Sequence, residues 1–348
     1  MKLRYPIIMI ILLLATTTTS SIGVQTNFST SFDVQANFIE KISNDPSINS
    51  YSNGETVGII VENALWGITA IQTAVYQYEY DLNRTGYKTL IHTASLSTAT
   101  QVKTVLQNWY TTYQISGAVL IGNLPYAQFY HPAVPAVSYL AETFICDLYL
   151  TDLDGSWTDS EPDGVFDIHT AGIGDIYPEI YLGRIDASSY SFGGTNANEI
   201  LTLLNRLHTY RTGGVARTHR ALTYIDDDWQ SWADGTYDNW PAWLNAPYTT
   251  RTDVHTPATY TNDTDWENRI TQDYEFAHLC AHSGASPSQH YFGPSGIGEG
   301  YTTATEIDTI QPTFNFYNLF CCHGADWRYT NCLATTYLFS SSYSIGVI

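Results

Sequence analysis

The sequence predicts an α/β protein with a mostly parallel sheet, arranged in two subdomains. From Thr56 onward, short β-branched or apolar runs alternate with amphipathic stretches of about 15 residues, the pattern of strand–helix–strand units. Runs such as Gly117–Ile121 (GAVLI) are apolar throughout, as strands covered on both faces must be. The alternation breaks at an acidic, aromatic stretch and then restarts, which divides residues 56–195 from 215–348.

Taken in order, Val57–Val61 is a strand, Ala64–Tyr80 has helical spacing and Tyr87–His92 is again strand-like. Ala99–Tyr113 places Val102, Val105, Leu106 and Trp109 on one helical face, and Gly122 stops the strand Gly117–Ile121. A strand is expected near Glu179–Leu182, followed by a connecting helix within 196–214. The second half reads as strand Arg220–Ile225, helix Asp265–Thr271, strands Tyr274–Cys280 and Phe314–Cys321, and a helix near Ala334–Ser340. Ser344–Ile348 resembles a strand just beginning, so a continuation of the chain is expected. No repeat of solenoid period is present.

Lys2 and Arg4 precede the apolar run Pro6–Ala15, and small or hydroxylated residues follow. That is the pattern of a secretory signal over residues 1–22, too short in its apolar part to span a bilayer. Residues 23–55 read as a leader or pro-like segment, and the mature chain is expected to be secreted or at the cell surface, without a transmembrane segment. Sequons at Asn27, Asn83 and Asn262 agree with export. With 34 acidic and 14 basic residues the net charge is −20, which repels phosphate backbones and argues against nucleic-acid binding. Hydrophobic residues make up 44% of the chain, too many for a disordered protein.

Five cysteines, Cys146, Cys280, Cys321, Cys322 and Cys332, leave at least one thiol unpaired within the monomer. Active sites of open α/β sheets gather at the carboxyl ends of strands. Here one strand runs out into Ala281-His282-Ser283-Gly284 and another into Cys321-Cys322-His323-Gly324. A thiol beside an imidazole becomes a usable nucleophile, the imidazole protonates the leaving amine, and glycine turns offer backbone N–H groups to an oxyanion.

These residues, with Gly117–Gly122 before Pro125, Cys146-Asp147-Leu148-Tyr149, and Pro178–Ile185, make the chain similar to the gingipain-type cysteine peptidases. The resemblance runs from about Thr56 to the C-terminus. It implies a caspase-like three-layer αβα sandwich, with Cys321 as nucleophile, His282 as general acid and base, and the Gly284 N–H in the oxyanion hole. The nucleophile of that family stands three residues before a glycine, which selects Cys321 over Cys322. Asp147 falls where an aspartate reaches the substrate's first side-chain pocket, which would favour a basic residue there. One departure is Ser283, which intervenes where the family has glycine directly after the histidine.

The stretch 152–167 carries Asp152, Asp154, Asp159, Asp163 and Asp167 among glycines, a ligand pool suited to structural calcium although not an EF-hand. Asp226–Asp228 reads as a solvated charge run before a second cation site, and His278, Trp240 and Trp243 as ordinary core or surface residues. The function expected is thus a secreted cysteine endopeptidase acting on protein or peptide substrates. The principal alternative is a catalytically silent, calcium-binding surface protein on the same fold.

Overall fold

The computed structural model describes residues 54–135, 140–255 and 261–348. The signal segment and nearly all of the leader lie outside the described residues. Two fully parallel sheets organise the rest. The first comprises β1 (Thr56–Glu62), β2 (Lys88–Ala94), β3 (Gly117–Ile121) and β4 (Tyr181–Ile185), in the order β2-β1-β3-β4. The second comprises β5 (Ala221–Ile225), β6 (Arg251–Val254), β7 (Phe276–Cys280), β8 (Phe316–Phe320) and β9 (Gly346–Val347), in the order β6-β5-β7-β8-β9.

Alternation along the first sheet puts apolar side chains on both faces, so both must be covered. Ile59, Val61 and Ile121 pack against α1 (Thr69–Arg84) and α3 (Asn196–Arg211) through Ile71, Val75, Ile200, Leu203, Leu204 and Leu207. Ile60, Ala118 and Leu120 face the opposite way, onto Val102 and Leu106 of α2 (Ala99–Tyr113). The result is a three-layer αβα sandwich. The Thr98 hydroxyl caps α2 by accepting the Gln101 N–H at 3.2 Å. Gly58 lets the Trp109 ring lie on β1, because a Cβ there would stand 2.3 Å from it.

The second sheet has the same logic. Leu222, Tyr224, Ala277, Leu279 and Tyr317 bury one face against α4 (Asp263–Arg269), α5 (Ala304–Ile310) and α6 (Leu333–Ser340), with Trp266 and Tyr337 fully buried. Leu244, Tyr248 and Trp240 cover the other face. Helix α3 leads from one half to the other and also packs with Phe339 and Ile345 of the second. Its Arg206 donates to the carbonyls of Leu338 and Ser344 at 2.8 and 2.6 Å.

The expected strands and helices are present, with ends shifted by a few residues. Sequence reading did not anticipate β6, α5, or three small antiparallel units. These are the pairs Gln128–His131/Glu142–Ile145 and Ser156–Thr158/Ile168–Thr170, and a sheet of His282–Ala285, Ser288–Tyr291 and Tyr301–Thr303. Among the described residues no helix is long and apolar enough to cross a membrane.

Candidate active site

Three neighbouring strands of the second sheet end level with one another. Ile225 of β5 pairs with Cys280 of β7, and Cys280 pairs with Phe320 of β8. The residues that follow therefore emerge side by side: Asp226–Asp228, then His282, then Cys321. His282 Nε2 lies 2.8 Å from Asp228 Oδ2. A carboxylate only accepts, so Nε2 carries the hydrogen and Nδ1 is left for other chemistry. The Ser295 N–H also donates to Asp228 Oδ2, at 2.6 Å, and the Trp229 ring lies 4.5 Å from the imidazole. Sequence reading passed over Asp228 as a charged run. Its place after the strand adjoining the histidine strand was the signal.

Cys321 is half-buried, and burial pushes its thiol up to about 11. A hydrogen bond with Ser283 and another from the Gly324 N–H oppose that rise. A Cβ at Gly324 would stand 2.5 Å from the sulfur, so only glycine allows this close approach. His282 makes its hydrogen bond to Asp228, and among the described residues none joins it to Cys321. Such contacts are often long before substrate binds. Cys322 is exposed, and its carbonyl accepts from the Ser283 hydroxyl. Gly284 sits in the antiparallel sheet opposite Gln289, beside the Tyr291 hydroxyl. The five cysteines are all free thiols.

The loop after Cys321 is held by the first half of the chain. Trp327 lies under the Arg184 guanidinium at 5.1 Å and edge-on to Tyr126 at 5.8 Å. Arg328 donates to Gln128 Oε1 at 2.9 Å and to the Thr143 carbonyl at 3.1 Å, while Asn331 Oδ1 accepts from the Ser191 N–H. Asp147, expected to face substrate, is engaged from within. Arg184 grips it through Nε and Nη2 at 2.6 and 2.8 Å, and Nη1 and Nη2 also reach the carbonyls of Leu124 and Pro125. Asp147, Arg184 and Trp327 line a mainly apolar cavity of about 630 Å³ between the two sheets.

The acidic stretch divides. Asp152 and Asp154 meet Glu179, which sequence reading missed, with one oxygen of each within 4.8 Å of the others. Asp159, Asp163 and Asp167 lie apart from that trio. Asp159 accepts backbone N–H groups of Asp163 and Gly164, and Asp167 accepts from Ser160. Asp152 is fully buried and accepts from Gly155 N, Trp157 Nε1 and His169 Nε2. The buried Lys103 ammonium, stacked over Tyr149 at 4.5 Å, belongs to the same electrostatic group; burial lowers its pKa and Asp152, Glu179 and Asp154 oppose that. Three convergent hard oxygens fit a calcium-like cation as part of its usual six to eight donors. The other residues of interest are bland: His278 is half-buried beside Trp240, and Trp240 is core while Trp243 is half-exposed.

No curated protein matches the chain. Among solved structures, a dimeric Lac repressor with a C-terminal deletion and a substitution is 10% identical, covers 66% of this chain and 68% of its own, and has a TM-score of 0.20. The Lac repressor bound to ONPG in its repressed state gives 10% identity, 75% and 68% coverage, and a TM-score of 0.20. Similarity at that level carries no argument about this chain. The family comparison is decisive: residues 57–348 match the model of peptidase family C25, so the chain belongs to this family of cysteine peptidases.

Proposed function

We propose that the protein is an endopeptidase acting outside the cytoplasm, with Cys321 as nucleophile, His282 as acid and base, and Asp228 holding the imidazole. The observation that carries this is the Asp228–His282 hydrogen bond at 2.8 Å, on strand ends level with the one that delivers Cys321. In this mechanism His282 Nδ1 takes the thiol proton, and the Cys321 sulfur attacks the scissile carbonyl. The same proton passes to the departing amine, and an acyl-enzyme results. Water then hydrolyses the thioester with His282 again as base. Amides of Gly284 and of the Cys321–Gly324 turn are the oxyanion donors in this reading.

A preference for basic side chains rests on Asp147. Arg184 holds both of its oxygens, so a basic substrate group would have to displace that guanidinium. Calcium, in this proposal, is structural and held by Asp152, Asp154 and Glu179. Export rests on the residue pattern of 1–22.

The test is cleavage of a positional peptide library with calcium and a mild reductant. Loss of turnover in both Cys321→Ala and His282→Ala supports the dyad, and the residue preferred before the cut decides the Asp147 question. Turnover surviving Cys321→Ala but lost in Cys322→Ala moves the nucleophile by one residue. Folded protein that neither cleaves nor reacts with a peptide-like thiol probe sinks the peptidase reading in favour of a silent surface protein.

A further inference from the structure

The segment that follows β5 carries aromatic rings in a connected series. Trp229 lies 4.5 Å from the His282 imidazole and, like Trp232, packs against the cluster of Ile225, Trp240 and Cys280. Trp232 stacks with Tyr237 at 5.0 Å and meets Trp240 edge-on at 4.6 Å. Trp240 in turn meets Phe320 at 4.9 Å. Phe320 closes β8, directly before Cys321. The series thus runs from the histidine of the proposed dyad to the residue before its cysteine.

Its middle is core and its outer rings are not. Trp240 is 6% exposed, whereas Phe320 is 47% and Tyr237 73% exposed. Ring surface left in water beside a reactive site gains free energy when a ligand covers it. The acids of the segment are engaged within the fold: Asp226 is buried, Asp228 holds His282, Asp234 accepts the Thr236 N–H at 2.8 Å, and Asp238 accepts the Asn239 N–H at 2.7 Å. Strand order fixes the side. In β6-β5-β7-β8-β9 the rings after β5 fall on the β7 side of Cys321, while the cavity with Asp147 lies between the sheets, on the β9 side. His282 gives its proton to the departing amine, so substrate residues beyond the scissile bond lie on the imidazole's side of the sulfur.

We propose that Tyr237 and Phe320, propped on Trp232 and Trp240, bind the side chain of the substrate residue that follows the scissile bond and select a bulky apolar or aromatic one. The inference rests on the peptidase site of the proposed function. It adds a requirement on the leaving-group side of the cut, whereas Asp147 concerns the residue before it.

The experiment is cleavage of a peptide library randomised on both sides of the cut. Phenylalanine, tyrosine or leucine directly after the cut is expected to be favoured about tenfold over alanine in kcat/KM, the worth of covering most of one such side chain. Tyr237→Ser and Phe320→Ser are each expected to reduce that advantage to about threefold or less, and Tyr237→Phe, which keeps the ring, to retain it. An advantage unchanged in the folded serine variants overturns the proposal, as does a preference for arginine or lysine after the cut, or no preference there. Where no peptide is cut, saturation-transfer NMR with phenylalaninamide, the leaving half of such a substrate, decides. Transfer that the serine variants abolish upholds the ring site and refutes the peptidase reading alone. Transfer that they leave unchanged, or none in the wild type, overturns the proposal as well.

Discussion

Replacing Asp147 with asparagine separates two roles that the side chain cannot fill at once. The Asp147 and Arg184 side chains are 26% and 11% exposed, and the guanidinium spends its donors on two carboxylate oxygens and two backbone carbonyls. Breaking one partner of a fully buried pair costs about 3–5 kcal/mol, and the exposed quarter of Asp147 lowers this to about 2–3 kcal/mol. For a chain of this size, that is a fall in melting temperature of roughly 3–5 °C. Arg184 also carries Trp327 on its face, so the loop behind Cys321 loosens with it. The expected result by calorimetry is the lower melting temperature, with peptide-library cleavage weaker at every position and unchanged in preference. An unchanged melting temperature with selective loss of cleavage after arginine and lysine would refute the reasoning and return Asp147 to the substrate.

Three further outcomes follow from named contacts. Asp228→Asn is expected to lower kcat/KM about 5–30-fold, the worth of one charge-assisted bond at a site a third exposed; steady-state kinetics on a library-selected peptide checks it. Asp226 is buried and its carboxyl is raised from 3.8 to about 6, chiefly by burial, with Asp227 adding to it. A carboxyl raised on folding favours the fold below its ordinary value and loses that contribution as pH climbs through the raised one. Asp226→Asn is therefore expected to stabilise by on the order of 2–3 kcal/mol at pH 7.5 and by little at pH 4, read by denaturant melts at both. Calcium at millimolar concentration is expected to raise the melting temperature of the wild type, with Glu179→Gln abolishing the gain and Asp163→Asn keeping it. No gain in the wild type would mean that the Lys103 ammonium and the hydrogen bonds on Asp152 already satisfy these carboxylates.

What the sequence disclosed follows from how locally each feature is determined. The helix Ala99–Tyr113 and the strand Gly117–Ile121 were legible to the residue, because an amphipathic period and a glycine stop are written in consecutive letters. The strand His282–Ala285 was not, since HSGA has no apolar alternation and is held by pairing with Ser288–Tyr291. Cys321 and His282 could be singled out as candidates because both follow strongly apolar runs. Asp228 was missed because its value depends on which strand lies beside which, and three consecutive acids look like a solvated face. Glu179 likewise lies 25 residues beyond Asp154 and meets it only through the fold. Asp147 was read from its position in a motif, while its partner Arg184 comes from a different strand of the same half.

The grip of the first half on the loop behind Cys321 makes reactivity a property of the joined chain. Trp327, Arg328 and Asn331 belong to one side of the exposed Gly213–Gly214 turn, and Arg184, Gln128 and Ser191 to the other. A chain cut at that turn keeps Cys321 on one fragment and its supports on the other, so the reactivity proposed for this thiol becomes a complementation signal, recovered as the two pieces associate.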